Sequence, residues 1–398
     1  MEIRTLNDGS LIRIERLRKK IGQKELSYDI CTVSYLSRIE NEEIVPHKDL
    51  MKRLMSALGF KTLTEEKESY YKTKLSTYFE KFLSRPNFSD KIDLTSEELN
   101  ELSSTALFPY ERLANKINTN SRDSYLDEIH TLLPDEIQSI YYIVKARYHN
   151  EDWNIKNALD WSKKAVKLSP TGMAYLSLAE SEFEAGFPEE MISNLAKAEE
   201  LLLKEGSLAP LVQVALYRAM RESYYPNEHT IKLYDIALKM AETINDEKLI
   251  SQISYNGGAS ALEIGQYDKA RFFLDKCKSG TPNLFYHKRA LLEILTDNYK
   301  KAEEYLELFK NSSAEKEQKR IFTSLLSLRL KYKNNYLIED ETLNYLEELY
   351  AYSKAHIHFG FLVTYGRELI ECLKQHRQYK RALEIEEELF INNPFKHS

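Results

Sequence analysis

The sequence has no uninterrupted apolar run near the ~18 residues a membrane-spanning helix needs, and its first residues carry no apolar secretion core. No membrane partner is expected, and the chain is read as cytoplasmic. Cysteine is scarce: Cys31, Cys277 and Cys372 stand far apart, with no CxxC pair. That spacing excludes a disulfide framework and a thiolate zinc site, and it suits a reducing compartment. Glycine (12) and proline (10) are few, which argues against a fold built from sheets and tight turns. The nine histidines are scattered. Only "HIHFG" (His356 to Gly360) holds a close pair, and its i, i+2 spacing points the rings to different sides of a helix. Neither a Gly-rich phosphate loop nor a G-x-S-x-G turn occurs. Accordingly no metal, no cofactor and no catalytic residue is expected, and the chain is read as non-enzymatic.

What is present is helical in character. Of the 398 residues 42% are hydrophobic and 30% charged, and the 27 tyrosines suit helix–helix contacts, some of them lining a groove. The net charge of −6 is spread unevenly. Residues 1–60 hold 11 Lys+Arg against 9 Asp+Glu, so the head is slightly basic and the rest acidic.

In that head, Leu11, Ile14, Leu17 and Ile21 recur at helical spacing, predicting a helix over Ser10–Lys20 with Gly22 as its stop. A second helix opens at Gln23 with Leu26 and Ile30 inward, and a short break follows at Cys31-Thr32. A third covers Val33 to Asn41 with Leu36 and Ile39 inward. A fourth, after Pro46, points Leu50, Leu54 and Leu58 to one core, and Gly59 closes it. Two short helices joined by a tight turn describe a helix-turn-helix. Small Ser27 lets the third helix approach closely. Gln23 and Lys24 open the second helix, where the Gln23 amide and free N–H groups can meet phosphate. Thr32, Val33, Ser34, Tyr35, Ser37 and Arg38 fall on the exposed side of the third, able to enter a major groove.

The stretch "QKELSYDICTVSYLSRIEN" (Gln23 to Asn41) resembles the DNA-binding domain of Xre-type regulators. Gln23, Glu25 and Leu26 match the opening of that family's second helix, and Ile39, Glu40 and Asn41 the close of its third. Ser27 replaces its alanine, and Cys31 lies near its turn glycine.

Small residues then repeat along the chain. Ala146, Ala158 and Ala165 are spaced by 12 and 7, as are Ala179, Met191 and Ala198, then Gly258, Ala270 and Cys277, then Ala290, Ala302 and Phe309. Tetratricopeptide repeats place small residues at those intervals, where two antiparallel helices cross closely. With a period of ~34 residues, seven to nine helix pairs fit between Leu75 and Pro394. Residues 205–237 read as a repeat with an insertion around "YYPNEH", residues 320–356 lack small landmarks, and Ser84–Thr95 reads as a loop. The expected fold is all-α: a helix-turn-helix domain (1–62), a linker helix (63–82), and a right-handed tetratricopeptide-repeat superhelix (83–398) for peptide binding and dimerisation.

The first helix of each pair lines the concave face of such a solenoid, where an extended peptide can lie. Its backbone amides must be paired there, and asparagine offers donor and acceptor together. By register, Asn256, Gln252, Glu263, Lys288, Glu180 and Arg147 project toward the groove, and Arg218 and Arg221 suit a peptide carboxylate. The string Tyr255-Asn256-Gly257-Gly258, together with the head, is similar to the RRNPPA family (Rap, Rgg, NprR, PlcR, PrgX, AimR), with NprR and PlcR nearest in layout. That resemblance implies that Asn256 holds the backbone of a signalling peptide. It implies a quorum-sensing transcription regulator that binds double-stranded operator DNA and is switched by a short imported oligopeptide. A homodimer is expected, since one small head buries little DNA surface. The resemblance also leaves open a Rap-like regulator that sequesters a response regulator, or a phage receptor of the arbitrium type.

Overall fold

The structure is a computed structural model that describes residues 1–6, 8–85, 91–119, 123–152, 154–223, 226–277, 284–312, 316–356 and 359–390. Every regular element among them is helical, and the chain forms two compact units: Met1–Asp152 with Asp160–Ser177, and Trp153–Leu159 with Leu178–Ser398.

The first unit holds α1 (Gly9–Arg18), α2 (Gln23–Leu26), α3 (Val33–Glu40), α4 (Lys48–Ala57), α5 (Glu65–Ser84), α6 (Ser96–Ser103), α7 (Phe108–Thr119), α8 (Ser124–Ile129) and α9 (Asp135–Glu151). The division between the units runs through α10 (Ile155–Leu168) and α11 (Gly172–Glu184). The second unit continues with α12 (Pro188–Glu205), α13 (Leu208–Glu222), α14 (Glu228–Thr243), α15 (Glu247–Glu263), α16 (Tyr267–Asp275), α17 (Phe285–Leu295), α18 (Tyr299–Lys310), α19 (Lys316–Tyr332), α20 (Asp340–His356), α21 (Phe359–Gln375) and α22 (Tyr379–Phe390).

The head packs around Leu11, Ile12, Leu26, Leu36, Ile39 and Leu54, all buried. The apolar repeat in α1 is misleading on one point. Leu17 is 56% exposed, and Ile12, Glu15 and Arg16 face inward instead. The reason is an ion pair. Arg16 donates to both Glu40 oxygens, at 2.6 and 2.7 Å, so α1 is rotated to bring its arginine onto the end of α3. Gly9 fixes the crossing from the other end: a Cβ there would lie 1.8 Å from the Ile39 carbonyl oxygen. Two smaller differences follow from helix length. α2 ends at Leu26, so Ile30 lies in the turn and is only half-buried, as is Leu50. In α4 Met51 and Met55 supply the burial instead.

Helix α5, the expected linker helix, runs from Glu65 to Ser84 behind a Thr64 cap and buries Tyr71, Leu75, Tyr78, Phe79 and Phe82. Its tyrosines reach its neighbours: Tyr71 donates to Glu101 at 2.6 Å and Tyr78 to the Ala114 carbonyl at 3.1 Å. The N-terminal amine pairs with Glu80 at 2.9 Å, and Tyr110 donates to the Arg4 carbonyl at 2.9 Å. Of the loop read over Ser84–Thr95, residues 91–95 are non-helical, Ser84 still belongs to α5, and residues 86–90 lie outside the described residues.

From α13 onward successive helices pack as pairs, α13 with α14, α15 with α16, α17 with α18, α19 with α20 and α21 with α22, and the small residues are where the spacing puts them. Ala146, Ala158, Ala165, Ala179, Met191, Ala198, Ala270, Ala290 and Ala302 are all fully buried. At the α15/α16 crossing a Cβ on Gly258 would stand 2.7 Å from Leu274 Cγ, which is why nothing larger fits. The two irregular stretches are ordinary pairs. α13 and α14 pack together, with Asn227 capping α14; Tyr224 and Tyr225 of the inferred insertion lie outside the described residues. α19 and α20 are joined by a 3-10 turn over Lys333–Ile338, which displaces the usual landmarks.

Candidate functional site

Helix α3 presents two faces. Leu36 and Ile39 are buried, whereas Thr32, Val33, Ser34, Tyr35 and Arg38 are exposed and Ser37 is half-buried. The start is built by Thr32, whose hydroxyl accepts from the Tyr35 N–H at 3.2 Å and so satisfies one of the free donors of the first turn. Val33 (42%) and Tyr35 (37%) are large side chains left in solvent on a helix whose other face is dry. Tyr28, in the turn before it, is 74% exposed. Arg38 pairs with Glu43 at 3.5 Å, in an open pair that solvent screens. Lys24 is exposed. Gln23 behaves differently from the expectation: its amide nitrogen donates to Glu40 at 2.8 Å, so part of the side chain is used to hold α2 against α3.

The second unit encloses a cavity of about 660 Å³, within the range of small-ligand sites. Its walls come chiefly from α15, α17, α19 and α21, every second helix of the array. The apolar wall includes Leu262, Leu291, Leu295, Leu325 and Leu326. The polar wall carries Glu263, His287, Lys288, Arg329, Arg367 and Glu368. Glu263 accepts from Thr364 at 3.1 Å and lies 3.8 Å from Arg367; burial pushes its carboxyl up, against the pull of Lys288. Arg329 donates to Glu368 at 2.7 Å and covers the Tyr336 ring. Burial drives the His287 imidazole well below its ordinary range, so it stays neutral.

Of the groove residues read from the sequence, Glu263 and Lys288 meet at this cavity. Asn256 and Gln252 lie farther back on α15, outside its lining, and the Asn256 amide donates to the Gln252 carbonyl at 3.1 Å. Arg218 is held by both oxygens of Glu199 (3.0 and 2.6 Å), and Arg221 by Glu189 and Glu222 (3.1 and 2.9 Å). Each is therefore committed to a carboxylate of this chain. Arg147 stands over the Phe82 ring in the first unit. Glu180 neighbours Glu184, whose carboxyl is pushed up to about 8, chiefly by burial. Sequence reasoning missed Arg329, Arg367 and Glu368; Arg329 lies on α19, within the 320–356 stretch that lacks small-residue landmarks, and Arg367 and Glu368 lie on α21. Among the described residues no cluster of three metal-ligating side chains occurs, and no helix is long and apolar enough to cross a membrane. The side chains of His356 and His358 lie outside the described ones.

No family model matches the chain. It is 24% identical over 316 residues to the transcriptional activator NprA of Geobacillus stearothermophilus, covering 71% of this chain and 77% of that protein. Among solved structures, it is similar to a Rap protein complexed with Competence and Sporulation Factor, at TM-score 0.56 and 14% identity over 82% of this chain and 99% of that one. A lower TM-score of 0.32, at 19% identity, relates 74% of it to the whole of Bacillus thuringiensis PlcR, solved with the peptide PapR7 and DNA. The likeness to Rap shows the fold, an all-α superhelix of tetratricopeptide type.

Proposed function

We infer that the chain is a peptide-responsive regulator of the RRNPPA kind, a reading supported by its resemblance to the activator NprA and by its Rap-like fold. In this reading the head binds operator DNA through α3, and the groove of the second unit binds a short oligopeptide that controls it. The observation that carries the DNA-binding half is the exposed N-terminal face of α3. A helix that buries Leu36 and Ile39 while leaving Val33, Tyr35 and Arg38 in solvent has the form of a recognition helix. Arg38 contacts guanine or phosphate, Tyr35 and Val33 touch base edges or thymine methyl groups, and Thr32, Ser34, Ser37, Gln23 and Lys24 position the head on the backbone. One such head covers a half-site, so the chain acts as a homodimer on two of them.

The test is selection of duplex DNA from a random pool with the full chain, followed by mobility shifts. Selected sites should be paired half-sites about one helical turn apart. Arg38→Ala should weaken binding by about 1–3 kcal/mol, and Tyr35→Ala should weaken it as well. Selection that enriches nothing, or an Arg38→Ala chain that binds unchanged, refutes the assignment.

A further inference from the structure

The charges on the cavity wall do not cancel. Lys288, Arg329 and Arg367 stand against Glu263 and Glu368, and His287 is neutral, which leaves one positive charge without a counterpart. Arg329 is satisfied by Glu368, and Arg367 is the cation nearest Glu263. Lys288 has no ion pair: its strongest charged neighbour is Glu263, and its ammonium stands 6.0 Å from the Phe361 ring centroid. It is 6% exposed, and no carboxylate among the described residues comes within the 4.0 Å of an ion pair; Glu263 and Glu368 act on it only at longer range. Burial pushes its ammonium down, and the distant carboxylates do not make this up. A largely buried cation without an ion pair costs stability unless something else completes it. Beside it, His287 Nδ1 is also buried and has no hydrogen-bond partner. The surrounding leucines make the rest of the wall apolar.

We propose that the cavity receives a carboxylate borne on an apolar stretch of the peptide, with Lys288 as its counter-ion. This rests on the peptide-receptor reading above and names the chemistry of its ligand. The carboxylate is either the peptide's C-terminus or an Asp or Glu side chain; both present the same planar anion to the ammonium.

The experiment incubates the full chain with four pools of random short peptides. The pools carry a free or an amidated C-terminus, each with or without Asp and Glu, and retained peptides are counted by mass spectrometry. Retention should be at least about tenfold lower from the pool that lacks any carboxylate, the factor that ~1.4 kcal/mol of pairing gives. The other pools show which source is used. Lys288→Met, which keeps the stem and drops the charge, should reduce retention from every pool to the carboxylate-free level. It should also melt no lower than the original chain, because an uncompensated buried charge has been removed. Equal retention from all four pools overturns the proposal, as does a Lys288→Met chain that retains peptides unchanged. A marked fall in its melting temperature also overturns it, by making Lys288 a structural partner of Glu263 and Glu368. If no pool is retained at all, the peptide-receptor reading itself fails.

Discussion

Arg16→Met isolates the interaction that sets the DNA-facing helix. The Arg16 and Glu40 side chains are 9% and 2% exposed and joined by two short bonds, with Gln23 adding a third to Glu40. Methionine fills much of the same space but leaves Glu40 ionised and buried, with only the Gln23 amide for company. Breaking a buried pair on one side costs about 3–5 kcal/mol, and the retained Gln23 bond places the expected loss near 3. Hydrogen exchange of the Leu36 and Ile39 amides reads that loss directly, because those residues form the buried face of α3. Arg16→Met with Glu40→Leu should recover most of it, since an apolar pair replaces a buried ion pair at little net cost. Acid supplies a second arm. Burial alone pushes the Glu40 carboxyl up, but hydrogen bonds from Arg16 and Gln23 with the Arg16 charge outweigh it, and the net shift from 4.5 is downward. A group depressed on folding stabilises the native state above its unfolded pKa, and that contribution disappears as pH falls through the folded value. The original chain should therefore lose α3 protection in acid below about pH 4.5, whereas Arg16→Met, with Glu40 left to burial and its carboxyl raised, should gain protection as pH falls toward about 4.5 and none below it. An Arg16→Met chain within about 1 kcal/mol of the original, or one with the same acid slope, refutes the reasoning.

Two further substitutions probe close backbone approach. Gly258→Ala would set a methyl group 2.7 and 2.9 Å from two atoms of fully buried Leu274, so about 1–3 kcal/mol of overpacking should exceed the ~1 kcal/mol gain in helix propensity and lower the chain's midpoint in urea. A rise in that midpoint would show that α15 and α16 are free to separate. Gly9→Ala would press its Cβ against the Ile39 carbonyl, which being backbone must move. The expected result is lost DNA binding with peptide retention unchanged, and an intact mobility shift would mean that the position of α3 does not depend on α1.

The repeat array was legible because its signal is local. A small residue every 12 and then 7 positions reports the crossing of two neighbouring helices, and burial of Ala158, Ala165, Ala290 and Ala302 follows from that geometry alone. The head was legible for the same reason, down to Leu36 and Ile39 on α3. What failed to show were the pairings that tie distant residues. Leu17 looked apolar and periodic, but the Arg16–Glu40 contact across 24 positions decides the rotation of α1, and no spacing rule announces a buried arginine. In the same way Arg218 and Arg221 looked like anion ligands until Glu199 and Glu189 were found against them.

The cavity repeats that lesson from the other side. Register alone brought Glu263 and Lys288 to one face, since each lies on the first helix of its pair. Register is silent on whether a charge already has a partner, and that question separates the cations of this wall. Arg329 reaches Glu368 across 39 positions, and Arg367 lies near Glu263 across more than a hundred. Once those long-range pairs are subtracted, Lys288 is left without an ion pair, its ammonium 6.0 Å from the Phe361 ring centroid and Glu263 acting on it at longer range. A buried charge that the fold leaves without an ion pair is a feature that ordinary stability selection removes readily, so its presence on the wall of a cavity is an argument about what binds there.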